Sequence, residues 1–356
     1  MKTFFDLRFM TFDCLERTLR MKGISNRQSA IANRKSGSAL VVVLWIIMII
    51  ALIVSAFSFE MQLEAKIITL QRKRFKADQL ALAGIEMAKA MLAFKQSENT
   101  AGETVYQDPY MNEAAKITNG VPVNYTENLG GGEITVKIDY EEGRRNIKML
   151  TPEEWRMLFE QAGIPNSRWD EMLDCLVDWQ DENDLHQLNG AESDDSFYIK
   201  RGYKCKNAPV DTVEELMLIK NWDQEVLYGT PPGEKTDEPM TGIASLLTTW
   251  GDGRVNPNSA GTNVLKSLPI SDTKIDFILE GQNGLDGKAG TADDGITPED
   301  LAALGGDAAL FTLKPDYVKV TSIGTVAGVQ SQISCIFKLG EKAAVPLFWL
   351  EGKTSE

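Results

Sequence analysis

The chain has 356 residues, of which 43% are hydrophobic and 25% charged, so it can build one large or two ordinary folded domains. Its net charge of −14 is unevenly spread, since residues 1–37 carry +5 and leave −19 for the remainder. Such an acidic body repels nucleic acid and anionic lipid, and it favours cations or basic partners. With one histidine, His186, the sequence excludes His-rich metal sites and catalysis by two imidazoles.

The first predicted element is a membrane helix. Residues 39–59 contain no charge, and 21 residues at about 1.5 Å each cross a hydrocarbon core of about 30 Å. Because basic residues crowd residues 1–37, the positive-inside rule predicts a cytoplasmic leader, a single pass through the membrane and an acidic body on the far side. Leu80, Gly84, Met87 and Met91 continue the helical spacing, so we expect one helix from about Ala39 to about Phe94.

The body is predicted to be an antiparallel sheet that a helical region interrupts. Residues 96–119 are polar, contain Gly102 and Pro109, and predict a loop. Alternating apolar residues predict five strands: Val121–Tyr125, Glu133–Tyr140, Tyr317–Ile323, Gln330–Phe337 and Val345–Glu351. Residues 151–304 contain four helix-start signals. Thr151 and Thr297 are predicted N-caps that are followed by Pro, and Ser167 and Asp211 are predicted N-caps that are not followed by Pro.

The start of the apolar run carries a processing signal. Arg34-Lys35-Ser36-Gly37, followed by Ser38 and a long apolar helix, resembles the class III signal of type IV prepilins. The resemblance implies that a prepilin peptidase cuts between Gly37 and Ser38 and methylates Ser38. Translation could start at Met1 or at Met21, which gives a leader of more usual length. A plain signal-anchored protein is the alternative.

The fifth residue after that cleavage point is Val42, where major pilins carry Glu. A carboxylate inside a bilayer needs a cation, and in these filaments the N-terminal ammonium of a neighbouring subunit supplies it. A subunit with Val42 cannot form that pair. In this respect the chain resembles the pseudopilin of the filament tip.

The body carries a second resemblance. Residues 178–184 (DWQDEND), Gly190-Ala191-Glu192, Tyr198, residues 209–216 (PVDTVEEL) and residues 250–260 (WGDGRVNPNSA) are similar, in this order, to segments of the type II secretion minor pseudopilin K family. Residues 138–146 (IDYEEGRRN) are the weakest match.

This resemblance implies the fold and the function. The fold class is α+β: a type IV pilin-like fold with a large inserted α-helical domain that contains helix-hairpin-helix-like units. Its predicted parts are the leader 1–37, the transmembrane and pilin helix 38–95, the first pilin-like part 96–150, the insert 151–304 and the completing strands 305–356. The implied function is that of a non-enzymatic minor pseudopilin, which initiates or caps the type II secretion pseudopilus and aids export across the outer membrane.

The implied partners are the other minor pseudopilins, the major pseudopilin, the prepilin peptidase and the inner membrane. At the tip, the exported protein or the outer-membrane secretin could be a further partner. No nucleic acid is expected, because a body of −19 opposes a polyanion even where residues 255–269 resemble a helix-hairpin-helix.

Two acidic loops are candidate calcium sites, because Ca²⁺ takes six to eight oxygen ligands in flexible geometry. The first acidic loop (residues 178–195) offers Asp178, Asp181, Asp184 and Glu192; the second acidic loop (residues 283–295) offers Asp286, Asp293 and Asp294. Loop carboxylates of the helical domain hold calcium in the family, so the resemblance favours Ca²⁺ over a solvated acidic face.

The remaining candidates stay open. Cys175 and Cys205 could pair in a disulfide, or these cysteines and Cys335 could be reduced and buried. Alternative functions are a minor pilin of a type IV pilus, a signal-anchored periplasmic nucleic-acid-binding protein and a hydrolase that uses Asp194 and Asp195. The tryptophans at 155, 169, 179 and 222 are expected to be core residues rather than a sugar platform.

Overall fold

The computed structural model describes residues 37–97, 108–231, 233, 239–284, 286–288, 291, 293–340 and 343–352. The chain divides into two compact units, residues 1–66 and residues 67–356. The leader, including both candidate start methionines, lies outside the described residues.

The long N-terminal helix, α1, runs over Gly37–Ser97. This confirms the prediction of one helix from about Ala39 to about Phe94. All side chains of residues 39–66 are exposed, and the most apolar 18-residue window of the helix has a mean hydropathy of 3.2. Among the described residues it is the one helix long and apolar enough to cross a membrane.

The second unit contains a five-stranded antiparallel sheet in the order β1-β2-β5-β6-β7. A separate parallel pair, β3 with β4, has two residues in each strand. The strands are β1 Val123–Leu129, β2 Gly132–Tyr140, β3 Arg145–Asn146, β4 Leu247–Thr248, β5 Tyr317–Val326, β6 Val329–Leu339 and β7 Ala344–Gly352. All five predicted strands are confirmed, although the first begins at Val123 rather than Val121.

The second half of α1 packs on one face of this sheet. Ala77, Ala81, Ile85 and Ala88 are fully buried against the inward residues of the strands. Gly84 permits close contact, because a Cβ there would overlap Oγ of Ser322 on β5. The small residues of the helix therefore allow the backbone of α1 to lie near the sheet.

The predicted loop at residues 96–119 is wrong for its second part. Residues 98–107 lie outside the described residues, but Pro109–Lys116 form helix α2, followed by a 3-10 turn over Ile117–Asn119. Asp108 caps α2 by accepting from the N–H of Tyr110 at 3.0 Å, with Pro109 in the first helical position. These two residues are a helix-start signal that outweighs the polar composition.

Between β2 and β5 the described chain is mainly helical. The helices are α3 Pro152–Ala162, α4 Trp169–Gln180, α5 Ser196–Arg201, α6 Gln224–Tyr228, α7 Thr262–Lys266, α8 Asp272–Gln282 and α9 Pro298–Ala303. Thr151 and Thr297 form the capping boxes of α3 and α9, as predicted. The other two predicted caps are wrong: Arg168, not Ser167, precedes α4, and a 3-10 turn follows Asp211 and Thr212.

The buried carboxylate of Glu142 joins this helical region to the sheet. Glu142 follows β2, is 4% exposed, and accepts the backbone N–H groups of Asp316 at 2.7 Å and Tyr317 at 3.0 Å, where β5 begins. Its carbonyl accepts the N–H of Asn256 at 2.7 Å. Burial raises the pKa of Glu142 to about 7, although these backbone donors act in the opposite direction.

Two buried asparagines complete this junction, which we define as Glu142, Asn256 and Asn258. Asn256 donates from Nδ2 to the carbonyl of Gly120 at 2.7 Å. Asn258 donates to the carbonyl of Asn119 at 2.7 Å and accepts the N–H of Ile296 at 2.6 Å. The side-chain amides of Asn256 and Asn258 are therefore hydrogen-bonded to the protein's own backbone.

The helix-hairpin-helix units stay a prediction. Helices α7 and α8 lie on either side of residues 267–271. Two of the nearby cations have acidic partners: Arg254 pairs with Asp252 at 2.7 Å, and Lys274 pairs with Asp307 at 2.6 Å.

Candidate cation site in the first acidic loop

Helix α4 places the first carboxylate of the candidate site. Its amphipathic sequence buries Met172, Leu176 and Trp179 in the core of the helical region, and Asp178 near its C-terminal end is also fully buried. Oδ1 of Asp178 accepts the N–H of Gln187 at 3.0 Å. That bond brings the chain after α4 back over the end of the helix.

Three of the predicted ligands meet at this point. One carboxylate oxygen from each of Asp178, Asp181 and Glu192 lies within 4.8 Å of the other two. Oxygens that share one calcium ion at about 2.3–2.6 Å can be no farther than about 5 Å apart, so this spacing suits one ion. Asp184 lies outside the trio, and its Oδ1 is 3.4 Å from Nδ2 of Asn207.

The environment of Glu192 distinguishes this cluster from a group of solvent-exposed acids. Its side chain is 1% exposed, and neither carboxylate oxygen has a hydrogen-bond partner. Among the described residues, five buried side-chain atoms lack a partner, and three of them are here: both oxygens of Glu192 and Oδ1 of Asn207. Buried polar groups are normally paired, so these carboxylate oxygens are available as ligands for a cation.

Gly190 leaves space for the carboxylate of Asp178. A Cβ at Gly190 would overlap Oδ2 of Asp178 and would lie 3.1 Å from Cβ of Gln187. Any larger residue would therefore push the Asp178 carboxylate out of place. The signal for this role was the Gly190-Ala191-Glu192 segment, where a residue without a side chain precedes the buried acid by two positions.

The electrostatics of the trio also favour a cation. Burial raises the pKa of Glu192, and the charges of Asp178 and then Asp181 raise it further. Burial likewise raises the pKa of Asp178, while the bond from Gln187 lowers it. The charged form of both carboxylates is therefore disfavoured, and a bound divalent cation would favour it.

Other acids of the first acidic loop have partners of their own. Asp194 pairs with His186 at 2.7 Å on the surface, a contact that raises the pKa of His186. Asp195 caps α5 and pairs with Lys220 at 2.8 Å, which lowers the pKa of Asp195. The two acids of the hydrolase alternative thus make separate contacts with different elements.

The second acidic loop is arranged differently. Oγ1 of Thr291 lies 3.3 Å from Asp286, 2.8 Å from Asp293 and 3.0 Å from Asp294, so the three predicted ligands surround one hydroxyl. Asp293 also accepts the N–H of Asp286 at 3.2 Å. This loop contains no buried, partnerless carboxylate among its described residues, and its calcium site stays a prediction.

The three cysteines of the body are buried and unpaired in this structure, and the disulfide between Cys175 and Cys205 stays a prediction. Cys175, Cys205 and Cys335 are free and buried. Burial raises the pKa of Cys175 to about 12 and that of Cys205 to about 11, so both are neutral thiols. The Sγ atom of Cys205 lies 3.5 Å from the carbonyl of Ala191, next to Glu192.

The processing residues lie on the membrane helix. Gly37 and Ser38 are the first residues of α1, and Val42 lies in its exposed apolar part. Cleavage, methylation and the effect of an apolar fifth residue stay predictions.

The comparisons with known proteins agree with this arrangement. Residues 140–230, which include the whole first acidic loop, match the family described as type II secretion system (T2SS), protein K. The match supports a relationship to type II secretion protein K over this part of the chain. Among curated proteins, no sequence match was found.

A solved structure is similar to this chain in its fold. It is a chain in the crystal structure of the GspK-GspI-GspJ complex from the type 2 secretion system of enterotoxigenic Escherichia coli. The two chains are 14% identical with a TM-score of 0.50, over 80% of this chain and 99% of that one. At this identity the match shows a common fold, and it confirms the predicted pilin-like α+β class.

The segments that resemble protein K pack against one another beneath the trio. Nε1 of Trp179 donates to Glu215 at 2.9 Å, and the hydroxyl of Tyr198 accepts the N–H of Lys220 at 3.2 Å. The rings of Trp179 and Tyr198 lie 5.9 Å apart. Trp155, Trp179 and Trp222 are buried and Trp169 packs against the same core, as expected.

Proposed function

We propose that the chain is a minor pseudopilin at the tip of a type II secretion pseudopilus, where it initiates or caps the filament and aids protein export across the outer membrane. The observation that carries this proposal is the protein K match over residues 140–230. The pilin-like sheet on α1 supports it, because that scaffold is what pseudopilins share.

The position at the tip follows from two features. Val42 provides no carboxylate for the ammonium of a subunit above, so a series of such pairs would end here. The helical region between β2 and β5 adds bulk to the pilin-like scaffold. A subunit with this insert would start a filament and obstruct further addition beyond itself.

The membrane topology and processing belong to the same proposal. The prepilin peptidase would cut after Gly37 on the cytoplasmic side and methylate Ser38. Helix α1 would then hold the mature protein in the inner membrane with its body in the periplasm. During assembly, the apolar part of α1 would move from lipid into packing with neighbouring helices.

The proposed direct partners are two other minor pseudopilins. The similar solved structure is a complex of GspK with GspI and GspJ, and this chain would occupy the corresponding place. The major pseudopilin would follow beneath this complex. The exported protein and the outer-membrane secretin are proposed contacts of the exposed tip.

The first acidic loop is proposed to bind calcium. Asp178, Asp181 and Glu192 would hold the ion, which would give the buried Glu192 oxygens the partner that they lack. Calcium would supply positive charge among three carboxylates and fix the chain between α4 and α5. Asp184 and the three acids of the second loop are further proposed ligands.

A complementation experiment tests the proposed function. Deleting the gene should abolish appearance of the exported protein in the medium, and the full chain should restore it. Gly37→Val should fail to restore export because it blocks processing, whereas Gly23→Val, the same change elsewhere in the leader, should restore it. Export that continues without the chain, or that Gly37→Val restores fully, would contradict the proposal.

A further inference from the structure

The last strand of the sheet has an unusual composition for an edge. Among the described residues, strand β7 has β6 as its one neighbour in the sheet. Five of its large apolar side chains are 42–54% exposed: Val345, Leu347, Phe348, Trp349 and Leu350. Exposed apolar groups of this density mark interaction surfaces more often than free surface.

The opposite edge of the same sheet is protected. On β1 the exposed residues include Asn124, Thr126, Glu127 and Asn128, which are polar or charged. Helix α2 also packs beside that strand. Charged residues and flanking elements are how proteins keep sheet edges from pairing, and in β7 the one charged residue is Glu351, near its end.

The apolar residues of β7 lie on both faces of the sheet. Trp349 pairs with the buried Cys335, so it lies on the face that carries α1. Phe348 pairs with Ile336 and Leu350 with Ser334, so both lie on the opposite face. A strand added beside β7 would bury apolar area on both faces and would also satisfy the open backbone groups.

The leader would be removed by the proposed cleavage after Gly37, and two other segments outside the described residues do not match that surface. Residues 353–356 (KTSE), which follow β7, are polar. Residues 98–107 (ENTAGETVYQ) are also largely polar and contain two glutamates. The chemistry therefore favours an occupant from another molecule.

A second copy of the chain is disfavoured by charge. Residues 38–356 carry −19, and two such bodies brought together along one strand would repel each other. A different subunit whose body is less acidic would avoid this cost.

We propose that β7 is a docking edge, to which a partner pseudopilin adds an extended apolar strand as the sixth strand of the sheet. This inference rests on the proposed function for the class of partner. The interface would combine main-chain hydrogen bonds with contacts to Phe348 and Leu350 on one face and Trp349 on the other.

Binding measurements with matched variants test the proposal. The probes are the purified full-length minor pseudopilins that correspond to GspI and GspJ in the same secretion system, in detergent. Phe348→Lys with Leu350→Lys should raise the Kd at least tenfold. Leu129→Lys, at a 48% exposed apolar position on the other edge, should leave it within twofold. All three positions are exposed, and a denaturant midpoint equal to that of the wild type verifies folding.

Hydrogen exchange on the unmodified protein gives an independent result. Adding the probes should slow amide exchange in β7 at least tenfold and leave β1 unchanged. Binding that the lysine pair does not weaken, without protection of β7, would overturn the docking edge while the proposed function stands. Failure of the wild type to bind either probe would overturn both.

Two other outcomes would also overturn the docking edge. Protection of β7 in the isolated protein that rises with its concentration would identify a second copy as the occupant. Protection that is already complete and independent of concentration would show that the chain covers its own edge.

Discussion

The junction and the first acidic loop each contain a buried glutamate, and the two are treated in opposite ways. Glu142 is 4% exposed and its carboxylate accepts two backbone N–H groups. Glu192 is 1% exposed and both of its oxygens lack a donor. The carboxylate of Glu142 is hydrogen-bonded within the chain, whereas the carboxylate of Glu192 has no hydrogen-bond partner among the described residues.

This difference separates structural from ligand-binding acids better than composition does. The junction holds the helical region on the sheet through groups separated by more than a hundred residues in sequence. Asp178, Asp181 and Glu192 lie within fifteen residues of sequence, and their carboxylates repel one another. Stability at the junction should therefore be independent of calcium, and stability at the loop should depend on it.

The largest effect is expected from Asn258→Ala in the junction. The change leaves the carbonyl of Asn119 and the N–H of Ile296 without their partner, at a cost of about 3 kcal/mol. Urea unfolding of the full-length protein in detergent, followed by tryptophan fluorescence, measures the loss, which should be equal with and without calcium. Asn263→Ala, an exposed position on α7, is the control and should change stability by less than about 0.5 kcal/mol. An equal loss of unfolding free energy in both variants would show that the hydrogen bonds of Asn258 do not stabilise the protein more than an exposed side chain does.

Glu142→Gln should change the pH dependence of stability. The pKa of Glu142 is raised from 4.5 to about 7, so the folded state favours the protonated form and loses stability as pH rises through that window. Gln does not ionise, so relative to the wild type it should gain about 3 kcal/mol between pH 4 and pH 8. Unfolding free energies of both proteins at these pH values measure the difference. A constant difference would mean that Glu142 ionises normally.

Glu192→Gln should have effects of opposite sign with and without calcium. Without calcium it removes a buried charge and should stabilise the protein, whereas with calcium it removes a ligand and should raise the Kd at least tenfold, about 1.4 kcal/mol. Calorimetric titration with calcium and urea unfolding in chelator measure the two effects. Destabilisation in chelator together with unchanged affinity would assign Glu192 a purely structural role.

The smallest effect is expected from Asp293→Asn in the second acidic loop. Its contacts to Thr291 and Asp286 are near the surface and use different carboxylate oxygens. The amide oxygen of Asn can still accept the N–H of Asp286 and its NH2 group can donate to the hydroxyl of Thr291, so the free energy of unfolding in chelator should change by less than about 0.5 kcal/mol. The same urea assay measures this value. If Asp293→Asn instead stabilises the protein in chelator as much as Glu192→Gln does, the contrast between the two loops is wrong.

Much of the fold could be predicted from local patterns. The uncharged run of α1, the alternation of the five strands and the boxes at Thr151 and Thr297 are encoded within a few residues each. Ser167 and Asp211 failed as caps because nearby turns took a 3-10 form. Asp108 with Pro109 was a helix signal of the same kind, hidden in a polar segment.

The site could be predicted only as a set of candidates. Seven acids were proposed as ligands, and tertiary folding selects Asp178, Asp181 and Glu192 by returning the chain over the end of α4. The sequence could not show that Asn256 and Asn258 face backbone groups of residues 119 and 120, because those partners are more than a hundred residues away. Glu192 differs from the acids that follow it in sequence by being buried, and no local sequence pattern predicts that burial.

The most direct test of the central claim is the N-terminus of the protein in its own membrane. Intact mass and N-terminal sequence should be determined for the full-length protein from cells with and without the prepilin peptidase. We predict a methylated chain that begins at Ser38 when the peptidase is present and an uncut leader when it is absent. An N-terminus that does not depend on the peptidase would contradict the assignment as a pseudopilin.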